Sequence, residues 1–120
     1  MGEPSLAVDR VLVCRSDGER FALPVTMVRE VVALPPLSRI PGSIPRVRGL
    51  ANVHGTLVTV LGAPTLPDTP ETGLAHLLVV LSLEGGQIGF AVEEVEQISA
   101  PNGVRLVDVE NVVRRLLGES

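Results

Sequence analysis

Twelve glycines and ten prolines cut this 120-residue chain into apolar runs too short for anything but strands and brief helices. The longest unbroken apolar run, Leu77 to Leu81, falls far below the roughly 20 residues that span a bilayer. Between the breaks lie Val8–Cys14, Phe21–Leu23, Gly49–Val53, Thr56–Leu61, Leu77–Leu83 and Ile88–Val92, mostly apolar and rich in strand-forming residues. Ser16-Asp17-Gly18-Glu19, His54-Gly55 and Glu84-Gly85-Gly86-Gln87 supply turn chemistry that joins consecutive runs into three hairpins. Gly55 suits a positive φ, and the Asn52 side chain can bond to its own backbone beside it. The continuous run from Leu77 to Leu83 has the character of a strand covered on both faces.

Two segments predict helices. Pro24 suits a first helical turn, and Val25, Val28, Val31 and Val32 recur at helical spacing, so a short helix is expected over residues 25–33, ended by Pro35-Pro36. Asp108 can cap a C-terminal helix over about 108–117, with Val109, Val112, Val113, Leu116 and Leu117 as its buried stripe. Val95–Ile98 either continues the preceding strand or bends away from it. Pro101-Asn102-Gly103 makes a further turn before Val104–Val107. The expected fold class is mainly β, built of small barrels with helical lids.

Composition narrows the chemistry. The length is that of one domain able to bury a core without metal or disulfide. Net charge is −4, every basic residue is arginine, and Tyr and Trp are absent, so neither a Schiff base nor a nucleic-acid surface is expected. Cys14, the single cysteine, sits in an apolar run and is read as a buried side chain. The first residues lack the charge and apolar core of a signal peptide, which points to a cytoplasmic protein without membrane insertion. His54 and His76 have no partners at metal-ligand spacing, Glu93, Glu94 and Glu96 form an acidic rim, and no nucleophile or phosphate-loop motif occurs. No catalytic residue, metal or cofactor is expected.

The order of elements in Val28–Leu61 is distinctive. Val28-Arg29-Glu30-Val31, then Arg39-Ile40-Pro41 with Pro45, then Arg48-Gly49-Leu50-Ala51-Asn52-Val53-His54-Gly55 resembles the CheW family of chemotaxis adaptors. Gly89-Phe90-Ala91-Val92-Glu93-Glu94-Val95 and Val104–Val112 resemble the family's later motifs, extending the likeness over nearly the whole chain. The resemblance implies a single domain over 1–120, made of two small SH3-like β-barrel lobes with a groove between them. The first lobe is expected at about 8–62, the second at about 74–107, followed by the helix at 108–117. It further implies an adaptor that binds the cytoplasmic tip of chemoreceptors and, in ordinary members, the regulatory domain of the kinase CheA. Another CheW-like protein is a further partner class.

This chain departs from the family pattern. His54 stands in place of arginine, Glu93 in place of aspartate, and Gly62 where an aspartate is usual. Only five residues separate Ile98 from Val104, where the family places some twenty or more including a strand. The second barrel is therefore expected to be shortened and kinase coupling weakened or lost. In that respect the chain resembles the short accessory CheW-like protein of Frz-type systems. The partner-binding residues implied are Val28, Glu30, Val31, Arg48, Asn52 and His54. For the valines two readings stand: all are core, or at least one of Val28 and Val31 lines the groove. A Glu30–His54 pair would lack the bidentate fork of arginine. The alternatives are a full receptor–kinase coupling protein and a non-catalytic β-barrel that binds a ligand or dimerises.

Overall fold

The computed structural model describes residues 10–16, 18–39, 47–62, 75–83, 86–98, 106–109 and 111–112. Eight strands account for most of them: β1 (Val11–Ser16), β2 (Glu19–Pro24), β3 (Val28–Ala33), β4 (Val47–Val53), β5 (Thr56–Leu61), β6 (Leu77–Leu83), β7 (Gly86–Val92) and β8 (Glu94–Ile98). They form a three-stranded sheet, β2-β1-β8, and a five-stranded sheet, β3-β6-β7-β5-β4, a mainly β architecture of two small lobes. The three expected hairpins are all present as antiparallel pairs, β1–β2, β4–β5 and β6–β7.

The helix expected over 25–33 is not there. A single 3₁₀ turn, Val25–Met27, without side-chain cap or charge support leads into strand β3. From Val28 to Ala33 burial alternates with a period of two, and the strand pairs with β6. Four valines at positions 25, 28, 31 and 32 fit a helical stripe over a run this short, but β-branched side chains favour extended backbone and an apolar neighbouring strand was available. A β-bulge between Val28 and Glu30 made the spacing misleading, because it turns Val28 to one face of the sheet and Val32 to the other.

Each sheet takes strands from both sides of the proline-rich segment at 62–74, so each mixes strands from the ranges expected at about 8–62 and 74–107. The two exchange the chain at Glu93. β7 ends at Val92, Glu93 bends with its N–H donating to the Arg15 carbonyl at 2.7 Å, and β8 departs to pair with β1. Val95–Ile98 therefore bends away from the preceding strand. Beyond it, Leu106 bridges Ala22 on the outer edge of β2, and the Val107 N–H donates to the Ala22 carbonyl at 2.9 Å. The Asn111 N–H donates to the Asp108 carboxylate at 3.1 Å, the cap expected of that residue. The rest of the helix expected over about 108–117, the turn expected at 101–103 and the connector residues 40–46 lie outside the described residues.

Burial divides into two main cores. Between the sheets, Leu12, Cys14, Phe21 and Leu23 of β1 and β2 meet Leu61, Val79, Leu81, Ile88, Phe90 and Val92. Phe21 and Phe90 pack edge to face, with ring centroids 5.8 Å apart and planes at 64°. On the other face of the five-stranded sheet, Leu78 and Val80 of β6, Ala91 of β7, Val58 and Val60 of β5, and Ala51 and Val53 of β4 fill a second core, with Val32, Leu34 and Leu37 against it. The sheet curls around this second core. Small residues at 89 and 91 make room for the curl: a Cβ on Gly89 would sit 2.6 Å from Leu78 Cδ1.

The curl brings the segment that follows β3 against edge strand β4. Ser38, just past β3, and Leu50 of β4 exchange two N–H···O bonds of 2.8 Å each. Gly49 makes this approach possible. Its φ is +148°, and a Cβ there would lie 2.6 Å from the Ser38 carbonyl oxygen and 3.2 Å from Leu37 Cβ. Gly49→Ala is expected to lower the unfolding free energy by about 2–3 kcal/mol, through backbone strain plus separation of the two edges. Gly18→Ala, at a φ of +82° but with nothing within 4 Å, should lose only about 1–2 kcal/mol. Denaturant unfolding of both variants measures the difference.

Candidate functional site

Where the chain just past β3 meets β4, the five-stranded sheet has a seam. Its inner side is packed with apolar residues, with Glu30 at their margin, and its outer side carries Val31 and Asn52. At one end Glu30 Oε1 and His54 Nε2 approach to 3.3 Å, linking β3 to the turn between β4 and β5. The glutamate side chain is 30% exposed and the imidazole 73%, so the pair contributes at most about 1 kcal/mol to stability. Its value is positional: it fixes which way the turn faces.

That turn is built by three residues. His54 adopts φ +53° and Gly55 φ +86°, the pair of positive values a two-residue hairpin needs to match strand twist. Asn52 Oδ1 accepts the Gly55 N–H at 2.8 Å, closing the turn from inside the ladder. Asn52 thus has a structural task that accounts for its presence without any partner. Histidine is among the few non-glycine residues that tolerate the left-handed region, so residue 54 can be retained there at a modest strain.

Beside this pair the surface is apolar. Val31 is 37% exposed and points away from the inner core. Leu57, opposite Asn52 in the β4–β5 ladder, is 64% exposed, the largest exposure of any bulky apolar side chain among the described residues. Val31, Asn52 and Leu57 thus share the outer face of the sheet, while Glu30, on the inner side of β3 with Val80, reaches His54 in the β4–β5 turn. Val28 does not join them; the bulge in β3 turns it into the core between the sheets. Arg48 is also elsewhere, at the opposite end of β4. Its guanidinium lies over Gly62, with Nη2 2.7 Å from where a Cβ would stand, and occupies the space that glycine leaves.

Sequence reasoning missed Leu57. Its signal was present in the alternation of Leu57-Val58-Thr59-Val60, where Val58 and Val60 face inward and an outward leucine has nothing to cover it. Leu61 shares its face but is fully buried against the other sheet, which hid the distinction.

Nothing at the seam resembles reaction chemistry. Among the described residues no three of His, Cys, Asp and Glu gather as a metal site requires. Cys14 is fully buried between the sheets, and burial pushes its thiol from an ordinary value of 9.0 up to about 12. Among the described residues no helix is long and apolar enough to cross a membrane.

Comparison with known proteins places these features in a family. Residues 10–115 match the family described as CheW-like domain. The chain is 22% identical over 121 aligned positions to the chemotaxis protein CheW of Bacillus subtilis (strain 168), covering 89% of this chain and 78% of that protein. In fold it is similar to the crystal structure of the scaffolding protein TtCheW from Thermoanaerobacter tengcongensis, with a TM-score of 0.64 at 19% identity. That likeness covers 78% of this chain and 66% of the other, so the match spans just under two thirds of the solved chain.

The thiol gives a direct check on the core. At pH 8 about one Cys14 in ten thousand carries the reactive thiolate, given a value of about 12, so iodoacetamide should label it only after unfolding in urea. The unfolded thiol ionises above about pH 9 while the folded one stays protonated to about 12. Stability should therefore fall over that window as pH rises, a fall absent from Cys14→Ala.

Proposed function

The chain belongs to the CheW-like domain family, and on that premise we propose that it is a chemosensory adaptor whose β3–β4 seam binds the cytoplasmic tip of a chemoreceptor. The adaptor works in the cytoplasm, without a reaction, metal or cofactor of its own. The observations that support the receptor contact are two exposed apolar side chains on the outer face of the five-stranded sheet, Val31 and Leu57, and the Glu30–His54 contact. A helical hairpin can lay an apolar stripe against such a surface, with a polar pair at the rim to fix its orientation. Histidine in place of arginine offers one directed nitrogen instead of a fork, so the polar part of the contact is weaker than an arginine would make it.

Coupling to the kinase CheA is, in this reading, weakened or lost. In support, the described part of the sheet that contains β8 has three strands, and only a short stretch follows Ile98 before the chain reaches Leu106. A full coupling protein would need a complete surface on that side.

Calorimetry with a soluble receptor-tip fragment tests the seam. Leu57→Asp and Val31→Asp should each weaken binding about tenfold or more, since a charge is placed where apolar contact is made. His54→Arg should tighten binding several-fold. Full affinity in both aspartate variants would remove the seam from the contact. Separate pull-downs with receptor fragment and kinase regulatory domain should yield the receptor complex alone. A stoichiometric kinase complex would restore the full coupling reading.

A further inference from the structure

We infer that the Glu30–His54 contact is a proton-controlled latch on the β4–β5 turn, which makes the seam hold its receptor more tightly when the imidazole is protonated. The latch is a regulation of the receptor contact proposed above and rests on that reading.

Glu30 stands where its charge needs a partner. On β3 it faces the inner side, paired with the fully buried Val80, and Val32 of the same strand packs against the same core. A carboxylate at the margin of an apolar core loses part of its hydration, and a nearby cation offsets the loss. The surrounding strands bring few charges. Across β4, β5 and β6 the only charged side chain is Arg48, which lies over Gly62 at the other end of β4. Arg29, beside Glu30 on β3, and Arg39, just past Ser38, are exposed and make no ion pair with Glu30 among the described residues. The group that does reach Glu30 is the His54 imidazole, with Nε2 at 3.3 Å from Oε1.

Histidine is the side chain whose charge changes between about pH 5 and pH 8. Neutral, in the tautomer that keeps the Nε2 hydrogen, the imidazole gives the carboxylate an ordinary N–H···O bond. Protonated, it gives a charge-assisted bond, roughly twice as strong. The latch is therefore tight on the acid side and loosens as pH rises. Its path to the apolar surface is short. His54 holds the turn at φ +53°, the Gly55 N–H donates back to Asn52, and Leu57 follows three residues after His54. Tying His54 to β3 restrains the turn that leads into Leu57, and a surface restrained beforehand loses less freedom on binding. The imidazole is largely exposed, so the swing is modest. Receptor affinity should be about two- to fivefold tighter near pH 6 than near pH 8.

Calorimetry of the full chain with the receptor-tip fragment, at about pH 6 and about pH 8, reads the latch. His54→Arg fixes the positive charge and should bind equally at both values, at least as tightly as the original chain does on the acid side. His54→Asn removes the charge with a side chain that tolerates positive φ, and should bind equally at both values near the weaker, alkaline level. Titration of the receptor's own groups is common to all three chains and cancels between them. In the free chain, the carboxyl carbon signal of Glu30 should move with the His54 ring signals through the imidazole titration, and should stop doing so in His54→Asn. A Glu30 signal indifferent to His54, or the same pH response in all three chains, would overturn the latch. Failure of the receptor reading looks different: Leu57→Asp and Val31→Asp keep full affinity while the Glu30 signal still follows His54, which strikes the seam and leaves the latch standing.

Discussion

Everything in this fold depends on β6 and β7 being apolar on both faces. Leu78, Val80 and Ala91 look into the curled sheet, while Val79, Leu81, Ile88, Phe90 and Val92 look toward the other sheet. A hairpin buried on both sides cannot tolerate a polar face, and it obliges the rest of the chain to cover it twice. The five-stranded sheet does so by rolling up, and the three-stranded sheet does so by lying across the outside. Side-chain size follows the same division. The inner face of β7 has glycine and alanine, where space is short; its outer face has isoleucine, phenylalanine and valine.

The edge strands meet this double demand with bulges. β3 shifts register between Val28 and Glu30, and β4 between Val47 and Gly49. In each case the first residue of the strand serves the core between the sheets, and the later residues serve the inner core. Two edges shaped this way can close against each other, and the closure leaves a surface where the outward residues of both converge. The candidate site is therefore a product of closure. Glu30 and His54 are neighbours because the chain just past β3 closes on β4 and brings the β4–β5 turn toward β3.

Local chemistry was legible in the sequence. The hairpins, the His54-Gly55 turn, the Asn52 bond and the Asp108 cap each depend on residues within a few positions of one another. Longer-range facts were not. The valines of 25–32 fitted helical spacing because no sequence pattern announces a bulge or a waiting partner strand. Val28 and Glu30, two residues apart, would share a face in a regular strand; one extra residue sends them to different cores. The family likeness indicated two lobes, but the assignment of strands to sheets rests on pairings such as β1 with β8 that no local signal encodes. Arg48 and Gly62 are a milder case: each is plain to see in the sequence, and only the fold brings one over the other.

The passage of the chain from β7 through Glu93 into β8 has a consequence for how the molecule comes into being. β1 and β2 are the first strands made and can pair at once as a hairpin. Their sheet mate β8 is separated from them by the whole five-stranded sheet, so the loop to be closed is among the longest in the chain. Such pairings are slow to form and leave early hairpins exposed while they wait. On a ribosome the opening hairpin must emerge, idle with one edge bare, and be sealed only when residues past 94 are released. Among the described strands, the last one made is the one that finishes the first.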